Sequence, residues 1–189
     1  MFLNDSTKQR LLAGTPWVVL LALVLVLPPG IVVSADEQAE LAIAHFKLGR
    51  EQEAARGFEA VLQVSPTHHR GNFGAAVLAL KQKREVDALK HLRTSYGADP
   101  TDADVGLSLS ALLIDGGQYQ AAKDILMPLH KAEPRDARVV KNLAETSIGL
   151  REYAQSLAFF KQYLVLVPNA PNRATVERKM RRLEAKLAK

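Results

Sequence analysis

A chain of 189 residues, once its N-terminal segment is set aside, is the size of one ordinary domain with a buried core. Aromatic residues make up only 6%, so that core is built mainly from aliphatic contacts, and the absence of cysteine excludes disulfides and thiolate chemistry. The net charge of +5 is local: residues 173–189 hold seven Lys or Arg against two acids, while residues 36–172 hold sixteen against seventeen.

The first ten residues carry Lys8 and Arg10 against Asp5, and no charged side chain follows from Leu11 to Ala35. Such a stretch is addressed to a membrane. Its strongest apolar run, Trp17–Leu27, is 11 residues long, which suits the core of a signal peptide better than a full span. Pro28-Pro29-Gly30 breaks it, and Val33-Ser34-Ala35 is a small-residue pattern suited to signal peptidase. Residues 1–35 therefore read as a signal peptide cut after Ala35, or as a retained N-terminal anchor with its basic end in the cytoplasm. Either reading places the rest across the membrane, most simply in a bacterial periplasm.

From Ala35 the chain is organised by a ladder of prolines, Pro66, Pro100, Pro134 and Pro168, each 34 residues after the last. A fixed period without insertions marks one supersecondary unit copied four times. Early in each unit sits a small residue (Ala42, Ala76, Ser110, Ala144), and a second small residue follows twelve later (Ala54, Ala88, Ala122, Ser156). Four beyond that comes a bulky apolar one (Phe58, Leu92, Leu126, Phe160). Small side chains let two antiparallel helices approach closely, and the bulky residue fills the next groove. Gly49-Arg50, Lys83-Arg84, Gly116-Gly117 and Arg151-Glu152 form the turns inside each pair, and each proline ends the second helix.

The period, the small-residue columns and the terminal proline resemble the tetratricopeptide repeat over residues 35–170. The resemblance implies an all-α, right-handed α-solenoid of four helix hairpins, at 35–68, 69–102, 103–136 and 137–170. It departs at Gln38, Asn72, Gly106 and Val140, where the family carries a large apolar residue.

Each first helix has two apolar stripes. In the first unit Leu41, Ala42 and His45 face the partner helix, while Ala39, Ile43 and Phe46 lie about 120° further round. The second stripe recurs as Phe73, Val77 and Leu80, then Leu107, Ala111 and Ile114, and turns polar at Lys141 and Glu145 before Ile148. In the tetratricopeptide family this face lines the concave surface where peptides lie. The resemblance thus implies a largely apolar partner-binding groove of Phe46, Phe73, Val77, Leu80, Leu107, Ala111, Ile114 and Ile148, able to take an extended or helical segment. The same residues read equally as packing between neighbouring first helices. A carboxylate clamp, which needs Lys, Asn and Arg on that face, is not expected, and Arg70, Lys81 and Lys47 read as solvated edge residues.

Past Pro168, Asn169-Ala170-Pro171-Asn172 opens a last helix over 171–189, with proline in its first turn, Asn as cap, and one apolar stripe of Val176, Met180, Leu183 and Leu187. It reads first as a basic amphipathic helix capping the last repeat, with Lys186 and Lys189 at the negative end of its dipole. Catalytic motifs are lacking: no Gly-rich phosphate loop, nucleophile elbow or HExxH occurs. His45 reads as a packed core residue and His68-His69 as turn residues, so no metal or other cofactor is expected. The expectation is a non-catalytic scaffold or adaptor of the cell envelope that binds a protein or peptide, not nucleic acid. Membrane contact through residues 1–35 if they are retained, and self-association through the groove face, remain open. The alternative is a membrane-anchored structural subunit of an envelope assembly machine, of the cytochrome c maturation, pilus or polysaccharide-export type.

Overall fold

The computed structural model describes residues 33–188. The apolar tract up to residue 32, and Lys189, lie outside the described residues. Among those described there are nine helices and no strand: α1 (Ala35–Lys47), α2 (Glu51–Val64), α3 (His69–Lys81), α4 (Glu85–Ala98), α5 (Ala103–Asp115), α6 (Tyr119–Ala132), α7 (Ala137–Gly149), α8 (Tyr153–Leu166) and α9 (Arg173–Leu187). They form two compact units, one ending at Lys83 and one starting at Arg84.

The helix ends follow from local chemistry. Ser34 caps α1 in a full capping box: its side chain accepts from Glu37 N–H, and the Glu37 carboxylate accepts from Ser34 N–H at 2.9 Å. His68 lies in the inter-repeat turn as expected and also caps α3, its Nδ1 accepting from Gly71 N–H at 3.1 Å, whereas His69 is corrected from a turn residue to the first residue of that helix. Asp102 and Asp136 cap α5 and α7. Each second helix stops two residues before its proline, at Val64, Ala98, Ala132 and Leu166. The intervening Ser65, Asp99, Glu133 and Val167 have φ of −134°, −143°, −133° and −128°. The prolines act through these residues, since a proline ring clashes with a helical residue before it.

The turns inside the hairpins share one device. Gly49, Lys83, Gly117 and Arg151, spaced 34 apart, have positive φ of 74°, 58°, 71° and 61°. Their N–H groups donate to Phe46, Leu80, Ile114 and Ile148 carbonyls, and the next residue's N–H reaches further back in three of the four, Arg50 to His45, Gln118 to Leu113 and Glu152 to Ser147. This left-handed closure satisfies the last carbonyls of the first helix. Two repeats supply glycine for it and two do not.

In the first unit α1, α2 and α3 pack on one another. Ala42 and Ala54 are fully buried around Phe58. A Cβ on Gly57 would sit 2.7 Å from that of Ala42, so the closest approach of α1 and α2 is between those two residues. A Cβ on Gly74 would fall 2.2 Å from the Phe58 ring, so α3 accepts a side chain of the preceding hairpin where it has none of its own. Burying a side chain such as Phe58 contributes about 1.5–3 kcal/mol.

In the second unit α4 packs on α5, then α5 to α8 pack in succession, with α5 also against α7. Ala88, Leu92, Ser110, Ala122, Leu126, Ala144, Ser156 and Phe160 are all fully buried, as the small and bulky columns require. The buried Ser156 hydroxyl donates to the Ala144 carbonyl at 2.8 Å, which removes the cost of a polar group in the core. The departures from the family pattern have local reasons. Gly106 leaves room for Leu129 and Ile125 of α6 and Tyr96 of α4, while in the first unit Asn72 donates to the Pro66 and His68 carbonyls and Gln38 to that of Val33.

Helix α9 closes the second unit. Val176 and Leu183 enter one cluster with Val140, Ala144, Phe160 and Tyr163, with Met180 partly buried against it. Three expectations for this helix are corrected. Leu187 is 49% exposed and leaves the apolar stripe. The helix begins at Arg173, so Pro171 precedes its first turn. Asn172 caps nothing with its side chain, because its Oδ1 accepts from the Tyr163 hydroxyl at 3.0 Å.

Candidate partner-binding surface

In the first unit Phe46 on α1 and Phe73, Val77 and Leu80 on α3 are all half-buried. Phe46 and Ile43 pack against the Ala42, Ala54 and Phe58 cluster together with Ala75, so this stripe serves the core as well as the surface. The edge cations Arg70 and Lys81 keep more than half of their side-chain surface open to solvent, as expected, and each also has an acidic neighbour. Arg70 pairs with Glu40, and Lys81 pairs with Glu51 at 2.5 Å while its ammonium lies 5.6 Å from the Phe46 ring centroid. A cation over an aromatic face is held by the ring quadrupole.

In the second unit Ala111 is exposed, Ile114 and Ile148 are half-buried, and Leu107 retains only 9% of its surface. Ile148 packs against the cluster around Val140 and Phe160. Of the four, Ala111 and Ile114 on α5 offer the most to a partner. The polar turn of the stripe has a structural account: Glu145 accepts from Lys179 of α9 at 2.5 Å, and no ion pair forms at the half-buried Lys141 among the described residues.

Other inter-repeat pairs hold the second unit in register. Arg138 donates to Asp104, one repeat earlier, at 2.6 Å, and to Asp136 at 2.8 Å. The Arg138 side chain, hydrogen-bonded to Asp136, holds that carboxyl below the ordinary carboxylate range, and both carboxylates push the guanidinium up. Lys123 bonds both carboxylate oxygens of Glu152 at 2.7 Å. Surface pairs of this kind contribute about 0–1 kcal/mol each, so their main effect is on geometry.

Chemistry for a reaction is sparse. His68, besides capping α3, sets Nε2 3.1 Å from Asp36, and no group of three or more His, Asp or Glu that could hold a metal ion occurs among the described residues. His45 and His130 each keep a buried Nδ1 without a hydrogen-bond partner among the described residues, and His130 stands edge-on to Phe159 with ring centroids 5.7 Å apart.

Two tetratricopeptide-repeat family models match the sequence, at residues 40–103 and 79–144, together more than half of the chain. The chain belongs to the tetratricopeptide-repeat family. Solved tetratricopeptide structures share its fold. The chain resembles MamA MSR-1 at TM-score 0.68 and 20% identity, over 82% of this chain and 87% of that one. It resembles YrrB, described as a TPR protein with an unusual peptide-binding site, at TM-score 0.74 and 13% identity, over 82% and 78%. With pilF of Pseudomonas aeruginosa the values are 0.63 and 22%, over 82% and 69%. No curated protein sequence matches the chain. Tetratricopeptide repeats are typically non-catalytic interaction modules, and this chain is an all-α solenoid of that type.

Proposed function

We propose that this tetratricopeptide protein is a non-catalytic scaffold of the cell envelope that holds a protein or peptide segment on the apolar faces of its first helices. The observation that carries the reading is the half-buried set Phe73, Val77 and Leu80 on α3 of the first unit; in the second unit, taken by itself, exposed Ala111 and half-buried Ile114 on α5 offer a face of the same kind. Apolar side chains left part-open on a rigid helix suit anchoring by alternate side chains of a docked segment. The test is photocrosslinking in cells from a probe at Val77 or Ala111, with one at exposed Lys161 as control. Capture of a partner is expected at each of the first two positions and not at the third, with capture at Ala111 reduced by Ile114→Ser and capture at Val77 reduced by Leu80→Ser in proteins that still fold. Equal capture from Lys161 would overturn the reading.

A second reading, a membrane-anchored subunit of an envelope assembly, is favoured by the start of α1. Cleavage after Ala35 would remove Ser34, whose capping box is worth about 0.5–2 kcal/mol, and the Val33 carbonyl that accepts from Gln38. Retention of residues 1–35 keeps both. Mass spectrometry of the cellular protein decides the point: a mature chain beginning at Asp36 would remove the anchored reading, whereas an intact N-terminus in the membrane fraction supports it.

A further inference from the structure

We propose that the outer face of α9 binds anionic phospholipid headgroups. The helix carries its basic residues in two groups. Those flanking the buried stripe are committed within the fold: Arg173 to Glu177, Lys179 to Glu145, and Lys186 to Tyr153, with the ammonium 4.5 Å from the ring centroid. The other three, Arg178, Arg181 and Arg182, are all exposed and have no hydrogen-bond or ion-pair partner among the described residues. At about 100° per residue they share an arc of roughly 100°, on the side opposite Val176 and Leu183.

This face differs from an ordinary polar cap in its chemistry. A helix that only had to keep solvent away from the last repeat could alternate signs, as the repeats do with sixteen bases against seventeen acids. Here no acid falls within the arc, and the residues between the arginines are Ala174 and Ala185, both exposed. Alanine lets a flat surface approach the helix while the arginines reach sideways. Guanidinium groups are weakly hydrated and present paired donors that fit phosphate oxygens, which favours a phosphodiester surface.

Between phosphate-bearing surfaces, the rest of the chain favours a bilayer. Leu11–Ala35 is a 25-residue stretch without a charge, a tract addressed to a membrane that runs directly into α1. A single apolar tether leaves the repeats free to reorient, and a second, electrostatic contact converts tethering into a defined pose. The proposal does not depend on the partner-binding reading of α3 and α5.

The chain has no cysteine, so Ala185→Cys gives a single site for an environment-sensitive dye in the middle of the arginine arc. The full chain is reconstituted with vesicles of one part phosphatidylglycerol to two parts phosphatidylcholine, and in parallel with phosphatidylcholine alone. The apolar tract acts alike in both, so the difference between them reads the arginines. A dye response is expected on the anionic vesicles only, reversed by high salt. It should persist in weakened form on replacement of all three arginines by Lys, and the bound-over-free ratio should fall about 100-fold on replacement by Gln, at the affinity expected per basic residue near an anionic surface, and further on replacement by Glu. If the Glu variant loses helicity, the Gln variant carries the comparison. An equal response on both vesicle types, or an unchanged response in the Glu and Gln variants, would overturn the proposal. So would a dye response to duplex DNA with none to the anionic vesicles, which would assign the face to nucleic acid.

Discussion

The column of left-handed turn residues gives the sharpest test of how this sequence encodes its hairpins. A residue with a Cβ pays about 1–2 kcal/mol to adopt that conformation, while glycine adopts it freely but loses more chain entropy on folding. At Gly117 a Cβ would meet nothing within 4 Å, so Gly117→Ala changes conformational energy without steric contact. Setting about 1–2 kcal/mol of strain against about 0.4–1 kcal/mol regained from a stiffer unfolded chain gives a net destabilisation of about 0.5–1.5 kcal/mol. The mirror experiment is Arg151→Gly. Arg151 is exposed, has φ of 61°, and its side chain has no hydrogen-bond partner among the described residues, so nothing but strain is removed. Stability should rise by about 0.5–1.5 kcal/mol, by the same terms with the sign reversed. Urea unfolding followed by far-UV circular dichroism reads both. A neutral Gly117→Ala together with a destabilising Arg151→Gly would refute the reasoning, because it would mean that the turn is set by contacts and not by backbone preference.

Three further outcomes are expected. Pro128 stands inside α6 and is exposed, so its ring deprives the Asp124 carbonyl of a helical donor; Pro128→Ala should raise stability by about 1–3 kcal/mol in the same urea assay. Phe160→Ala should cost about 3–5 kcal/mol, since the ring is fully buried, whereas Val165→Ala, at a position 77% exposed on the same helix, should stay within about 0.5 kcal/mol. Asp136 has a folded pKa below its unfolded value, chiefly through the Arg138 side chain, so its stabilising contribution is complete above about pH 4 and is lost as pH falls through the folded value. In Asp136→Asn that part of the acid-side loss should disappear, and acid titration of the melting temperature checks it.

The proline ladder and the two small columns were readable because each recurs four times in phase, and all eight small residues are fully buried. What recurs only once was not readable. Gly57 and Gly74 set the tightest approaches in the first unit, yet the positions 34 residues on hold His91 and Ser108, so no column announces them. The His68 cap was hidden because histidine is outside the usual capping set, and its ring nitrogen serves only through the geometry of the turn. The apolar stripe of the first helices was legible as a stripe, but not its division between core and surface. Leu107 is almost closed and Ala111 is open four residues along the same helix, a difference made by the neighbouring helices and not by residue type.

The way α9 ends the array bears on how such a protein changes size. A duplicated module of one repeat length inserted ahead of Ala137 would keep the phase of the Asp104–Arg138 and Glu145–Lys179 pairs, each 34 residues apart. One appended after Leu187 would meet an arginine-covered helix with no seat for a hairpin. The interior seams thus carry a pairing pattern that an added repeat could continue, and the arginine face of α9 carries none.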